Sequence, residues 1–308
     1  MLHFFATSSP IFAVVVLGWL AARLRLVPPA GFSAFSTYAF DLALPALLVG
    51  LLGRQPLAVA FDVRFFGALL AAGATVFAAT AATTALVARA PLRTMAANAQ
   101  AATGGNLGFL GVPLLLALLG DRAAGPIGMA MVAEVGLLMP LGIVLMSVRR
   151  GGASRGLGRE LATATILNPI VVSVAAGVAL GVAGARLPAP VDRFLSFVGA
   201  SAGPTALFAL GGSLAGRSLG PHWRTVAGVA AAKLVLYPAV AWVLLRAAGL
   251  PPQWVAAGVL IASLPTAAYV FVFAERHDAG PERISAEILV STVAAALTFP
   301  LVAWLVMP

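Results

Sequence analysis

The chain contains no cysteine and only three histidines, His3, His222 and His277. Without cysteine there is no disulfide framework, no thiol nucleophile and no thiolate metal site. Three histidines so far apart make no ligand cluster, so no metal is expected. Charge is also scarce: 9% of the 308 residues are Asp, Glu, Lys or Arg, against 61% hydrophobic. A mean hydropathy of +1.02 exceeds what a soluble core can hide, which makes the chain a polytopic, all-α membrane protein. No GxxxxGK phosphate loop occurs, which argues against an ATP-driven pump. No nucleophile, base and orienting residue can be grouped, so an enzyme is not expected.

What charge there is carries topology. The net charge of +9 is scattered through short connections instead of forming a basic patch, so nucleic acid is not an expected partner. Apolar runs of about 20 residues, the length that crosses a bilayer, fall near 8–26, 31–52, 64–88, 95–119, 124–147, 163–184, 190–214, 223–246, 252–274 and 284–306. That makes ten expected spans. The first has no basic residues before its apolar run, so it reads as a retained span and not a cleaved signal. With the N-terminus outside, the cytoplasmic connections hold twelve arginines, among them Arg149, Arg150, Arg155 and Arg159, and the outer ones hold six, among them Arg54 and Arg186. This bias places both termini outside and the 148–161 loop in the cytoplasm.

One span is unlike the others. TGGNLGFLGVPLLLALLG, Thr103 to Gly120, carries Gly104, Gly105, Asn106 and Pro113 inside a run apolar enough to cross a membrane. Proline offers no N–H to the carbonyl four residues back, and the glycines lower the cost of leaving helical geometry. The expected result is a discontinuity at Pro113, whose freed backbone groups need protein or a hydrated cavity to satisfy them. A tightly packed, kinked helix is the plainer alternative.

The prolines also repeat. Pro10 recurs as Pro169 and Pro45 as Pro204, both at an offset of 159; Pro140 recurs as Pro300 at 160, and Pro113 as Pro265 at 152. Each pair falls in spans one and six, two and seven, five and ten, or four and nine. Five spans per repeat is an odd number, so the second copy runs in the opposite direction. Interrupted helices in corresponding spans of an inverted repeat point to a transporter's midplane site. The expected domains are residues 1–147 and 163–308, joined by a linker at 148–162.

NLGFLGVPLLLALLG in span four, LNPIVVSVAAG in span six, TALFALGGSLAG in span seven and SLPTAAYVFVFAERHD in span nine together resemble the auxin efflux carrier family. That family takes in the plant PIN auxin exporters and bacterial malate or malonate permeases, and the similarity covers essentially the whole chain. The resemblance implies a five-plus-five inverted fold like that of the bile-acid symporters, with helices 1, 2, 6 and 7 as scaffold and 3–5 and 8–10 as the transport domain. Broken helices 4 and 9 would then cross at Pro113 and Pro265 with substrate beside the crossing, and a substrate-binding role is carried onto Asn106. The chain departs from the plant pattern by lacking the long central loop, and by having Thr266 where the plant members have glutamine, which weakens the case for auxin itself.

Side-chain chemistry is consistent with a small organic anion as the partner, besides membrane lipid; a homodimer stays open. Half-helix N-termini after the breaks attract anions, and Asn106, with Gly105 beside it, offers a neutral group that both donates and accepts. Ser263 and Thr266 flank Pro265 and either donate to substrate or satisfy freed helix carbonyls. A charge at the bilayer centre costs about 2.5 to 3.5 kcal/mol even on the lenient scale, so Asp41, Glu134, Lys233 and Glu287 each require a reason. Glu134 and Lys233 read as a mutually neutralising pair, with a direct role for Lys233 in holding substrate as the alternative. Asp41 is a candidate for proton or sodium coupling or a cavity-facing group, and Glu287, four residues after Arg283, reads as an ordinary helical ion pair. The expected function is a secondary transporter of an auxin-like acid or a dicarboxylate such as malate, working by alternating access in the plasma membrane. A passive uniporter or channel of the same fold is the runner-up, and a membrane-embedded enzyme ranks below both.

Overall fold

The computed structural model describes residues 2–54, 61–148, 156–185, 187–217 and 222–307. Arg149, Arg150, Arg155, Arg186 and the 149–155 part of the linker lie outside them. Every described element is a helix, and the one β-like feature is a single bridge between Gly105 and Thr266. We number the helices α1 (Leu2–Arg23), α2 (Pro29–Gly53), α3 (Val63–Ala88), α4 (Leu92–Thr103), α5 (107–119), α6 (124–147), α7 (Leu157–Ala164), α8 (Pro169–Ala183), α9 (Ala189–Leu214), α10 (Trp223–Ala247), α11 (Pro252–Ala262), α12 (Tyr269–Arg276) and α13 (Pro281–Val306). Among the described residues seven helical stretches are long and apolar enough to cross a membrane, or eight if α7 and α8 form one bent span. One of the seven, 107–147, holds 41 residues, about twice what a 30 Å hydrocarbon core needs. Gly120 interrupts it with φ 59° and ψ −148°, a backbone setting in effect open only to glycine.

Four prolines explain a second irregularity. Pro45, Pro113, Pro140 and Pro238 each stand in the first turn of an α-helical stretch, and each stretch is preceded directly by a five-residue π turn: Ala39–Ala43, Leu107–Gly111, Glu134–Leu138 and Ala232–Leu236. A proline removes one i to i−4 hydrogen bond and crowds the carbonyl it would have met. Widening the preceding turn relieves both effects without ending the helix. This corrects the expectation for Pro113: the helix runs through it, and the interruption lies at Gly104–Asn106, ahead of the π turn.

The chain forms two compact units. The first comprises Met1–Val63, Leu107–Val132 and Asn168–Gly216. Within it α1 packs on the second half of α9, and α2 on α8, both through glycine. A methyl on Gly211 would collide with the Val15 carbonyl and one on Gly18 with that of Phe208, while one on Gly177 would stand 3.1 Å from the Leu48 carbonyl. Such small residues let membrane helices approach backbone to backbone.

The second unit comprises Arg64–Asn106, Ala133–Leu167 and Arg217–Pro308. Here α4 lies against the second half of α6, and α13 packs against α4, α10, α11 and α12. Close fit again falls on glycines: Gly258 sits beneath Leu245 and Phe65, and Gly142 has no room for a side chain because Gln100 fills the space above it.

Candidate functional site

In the second unit α4 and α11 both stop short of a full span, and their ends are tied to each other. Gly104 leaves α4 with an extended backbone, φ −66° and ψ 101°. From there the Asn106 N–H donates to the Pro265 carbonyl at 2.8 Å, and the Ala267 N–H donates to the Gly104 carbonyl at 3.0 Å. These bonds form a two-residue antiparallel ladder. It satisfies backbone groups that hydrocarbon would leave unpaired at a cost of several kcal/mol each. Pro265 lies inside its interruption as expected, whereas Pro113 belongs to the first unit, as does Asp41, which lies in the π turn Ala39–Ala43.

The carbonyls released at the two helix ends are also satisfied. Thr266 Oγ1 donates to the Ala101 carbonyl at 2.8 Å, and Ser263 Oγ donates to that of Leu260 at 2.9 Å. Of the two roles expected for these hydroxyls, the geometry supplies the second. Lys233, fully buried, donates from Nζ to the Ala262 carbonyl at 2.8 Å, and its ammonium stands 4.7 Å from the Tyr237 ring centre. A cation at the C-terminal end of α11 meets the negative end of that half-helix dipole. The lysine therefore caps a broken helix, which the expected pairing with Glu134 did not include.

Glu134 and Lys233 nevertheless face one another across Gly105. A methyl placed on Gly105 would stand 3.5 Å from Glu134 Oε2 and 3.6 Å from Lys233 Nζ. The two charges act on each other, but no described ion pair joins them. Glu134 Oε1 instead accepts from the Tyr269 hydroxyl at 3.2 Å, and that hydroxyl accepts from Gln100 Nε2 at 2.9 Å. Both charged residues lie in π turns, so the same prolines that widen the helices set these side chains.

Asn106 completes the group. It is 4% exposed, its backbone N–H is used in the ladder, and its side-chain Nδ2 has no partner. A buried amide donor left unmade costs about 1 to 3 kcal/mol. Here it stands next in the chain to the glycine that separates a carboxylate from an ammonium.

Glu287 overturns its expectation. Arg283 directs Nε to Asn98 Oδ1 at 2.8 Å and a terminal nitrogen to the Ala279 carbonyl at 2.9 Å, so it is not the partner of Glu287. Glu287 is 1% exposed and neither carboxylate oxygen has a hydrogen bond. Spacing of four along a helix permits an ion pair, but Asn98 on α4 and the Ala279 carbonyl just ahead of α13 outcompete it. Gln100, Tyr237, Tyr269 and Ser291 were not singled out in the sequence either. Ser291 Oγ accepts from the Thr266 N–H at 3.1 Å and helps hold the interruption. The available signal was polar residues inside runs of alanine and leucine.

The packing makes one glycine testable. A methyl on Gly104 would stand 2.9 Å from the Gln100 carbonyl and 2.5 Å from the Tyr269 hydroxyl, whereas one on Gly105 meets nothing closer than 3.5 Å. Gly104→Ala is therefore expected to destabilise the protein by about 1 to 3 kcal/mol through overpacking, and Gly105→Ala to leave it near wild type. Thermal melting of the two purified variants in detergent checks this, and equal melting temperatures would contradict it.

Residues 3–303 match the family described as "Membrane transport protein". A protein of Rhizobium meliloti (strain 1021), described as "Putative malonate transporter", is 31% identical over 296 residues, covering 94% of this chain and 91% of that one.

Proposed function

Because the chain belongs to the membrane transport protein family, that of the auxin efflux carriers, we propose that it is a secondary transporter of a small dicarboxylate of the malonate type. The chain is an integral membrane transporter and not an enzyme. The observation that carries the substrate class is the unpartnered Asn106 amide beside Gly105, Lys233 and Glu134. A neutral donor one residue along the chain from the glycine that a buried ammonium approaches suits a carboxylate that must be bound and then released. Gly105 offers no side chain to fill the space between the charges. Ser263, Pro265 and Thr266 shape the site by holding the second interruption open.

We read the architecture as ten spans in a five-plus-five inverted repeat. The reading rests on the four proline pairs and on the reciprocal packing of α1 with α9 and α8 with α2, which is span one on seven and span six on two. In this reading helices 1, 2, 6 and 7 form the scaffold, while helices 3–5 and 8–10 carry substrate by alternating access. Both termini then face outward and the central linker faces the cytoplasm, as the arginine bias requires.

Reconstitution of the purified chain in liposomes tests the substrate. Saturable uptake of radiolabelled malonate is expected, with malate competing and indole-3-acetate competing less well. Uptake blocked by indole-3-acetate and indifferent to every dicarboxylate would overturn the dicarboxylate assignment.

A further inference from the structure

Glu287 stands in α13, whose neighbours are α4, α10, α11 and α12, and no donor reaches either of its oxygens. The charged and titratable groups on those neighbours are as follows, beginning with Arg224 and Arg246 near the two ends of α10, which lie over the Trp223 and Trp242 rings. Lys233 of α10 is the cation that acts on it, and its hydrogen bond goes to the Ala262 carbonyl. Tyr237 of α10 lies under that ammonium. On α4, Arg93 pairs with Asp278 at 3.1 Å. Helix α11 carries no ionisable side chain. On α12, Tyr269 donates to Glu134, Arg276 pairs with Glu160 at 3.2 Å, and Glu275 is exposed. On α13 itself, Arg283 is held by Asn98, and Glu282 is exposed in the first turn.

Two carboxylates therefore share one ammonium. With Glu134, Lys233 and Glu287 all ionised the buried group would carry one net negative charge. Glu134 has a hydroxyl donor to hold its charge and Glu287 has none. An ionised carboxylate in a dry site without hydrogen bonds is among the costliest groups a protein can bury. Sodium does not fit as the neutralising ion, since a hard cation requires a shell of oxygen ligands and would sit beside an ammonium. Among the described residues no cluster of three His, Cys, Asp or Glu side chains forms a metal site.

We propose that Glu287 is the proton-binding site of this transporter, occluded with its proton in the structure described, and that it makes each anionic substrate travel with a proton. This rests on the transporter reading above. Protonated Glu287 leaves Lys233 balanced by Glu134 alone, so the region around Gly105 is neutral and accepts an anion. Loss of that proton gives the group a net negative charge, which repels the substrate. Binding of anion and proton is thus linked: malonate affinity falls by up to about tenfold per pH unit once Glu287 ionises.

Two measurements on the purified full chain decide it. Infrared difference spectra at neutral pH are expected to show the carbonyl band of a protonated carboxylic acid, shifted in deuterated water and absent from Glu287→Gln. In liposomes, Glu287→Gln is expected to keep malonate counterflow, lose at least about tenfold of the accumulation driven by an inward proton gradient, and lose its pH dependence. Glu287→Leu, which removes the polar group from a dry site, serves the same purpose if the glutamine variant does not fold. An unchanged carboxylic band in both variants, or wild-type accumulation by either one, overturns the proposal. Should the wild type show no malonate counterflow, the substrate assignment fails on its own and the infrared band still decides Glu287.

Discussion

Asn106→Ala is expected to weaken malonate binding about 10- to 100-fold, the range for losing one hydrogen bond to a charged partner, and to leave the fold intact. The side-chain Nδ2 it removes has no partner. Deleting an unsatisfied buried donor removes a cost of about 1 to 3 kcal/mol, so the melting temperature should hold or rise. Asn106→Asp should lose more, because its anion would face the substrate's own charge. Melting curves of the purified variants, with and without malonate, separate these effects. A ligand-induced shift in Asn106→Ala equal to that of the wild type would remove the residue from the binding site. A lower melting temperature without ligand would assign it to the fold.

Lys233→Met is expected to have the opposite profile, with loss of folded protein before loss of binding. It strands the Ala262 carbonyl at a helix end and leaves the buried Glu134 carboxylate without the cation that acts on it. Removing one partner of a buried charge pair costs about 3 to 5 kcal/mol. If neutralisation of Glu134 were the whole role, Lys233→Met combined with Glu134→Gln would restore the protein. The hydrogen bond to Ala262 predicts otherwise: Glu134→Gln alone should fold, since the Tyr269 hydroxyl can still donate to an amide oxygen, and the double variant should stay well below it. Monodisperse yield from detergent extracts reads out all three, and full recovery in the double variant would show that the carbonyl contributes little.

The helical stretches, the interruption at Pro265 and the approach of Glu134 to Lys233 were legible because they follow from local rules, namely apolar run length, proline geometry and the cost of charge in hydrocarbon, whereas the place of Gly105 between the two charges was not. Pro113 misled for a physical reason. A missing N–H can be absorbed by a π turn as readily as by a break, and which occurs depends on whether the freed backbone finds a partner across the fold. The partners for a break sit at Gly104 and Asn106, and they are the backbone of Pro265 and Ala267, about 160 residues away. Glu287 was misread in the same way, because spacing along α13 says nothing of Asn98 on α4, which claims Arg283.

The ladder between Gly104–Asn106 and Pro265–Ala267 also sets an order of events during synthesis. The first interruption leaves the ribosome long before the segment that satisfies it, and at about 5 to 20 residues per second the wait is roughly ten to thirty seconds. Throughout that interval the Gly104 carbonyl and the Asn106 N–H have no protein partner. Lipid cannot supply one, so the nascent Gly104–Asn106 segment must stay in contact with water or with the insertion machinery until Pro265–Ala267 arrives. A chain truncated before residue 265 is left with an unpaired seam and is a natural target for membrane quality control.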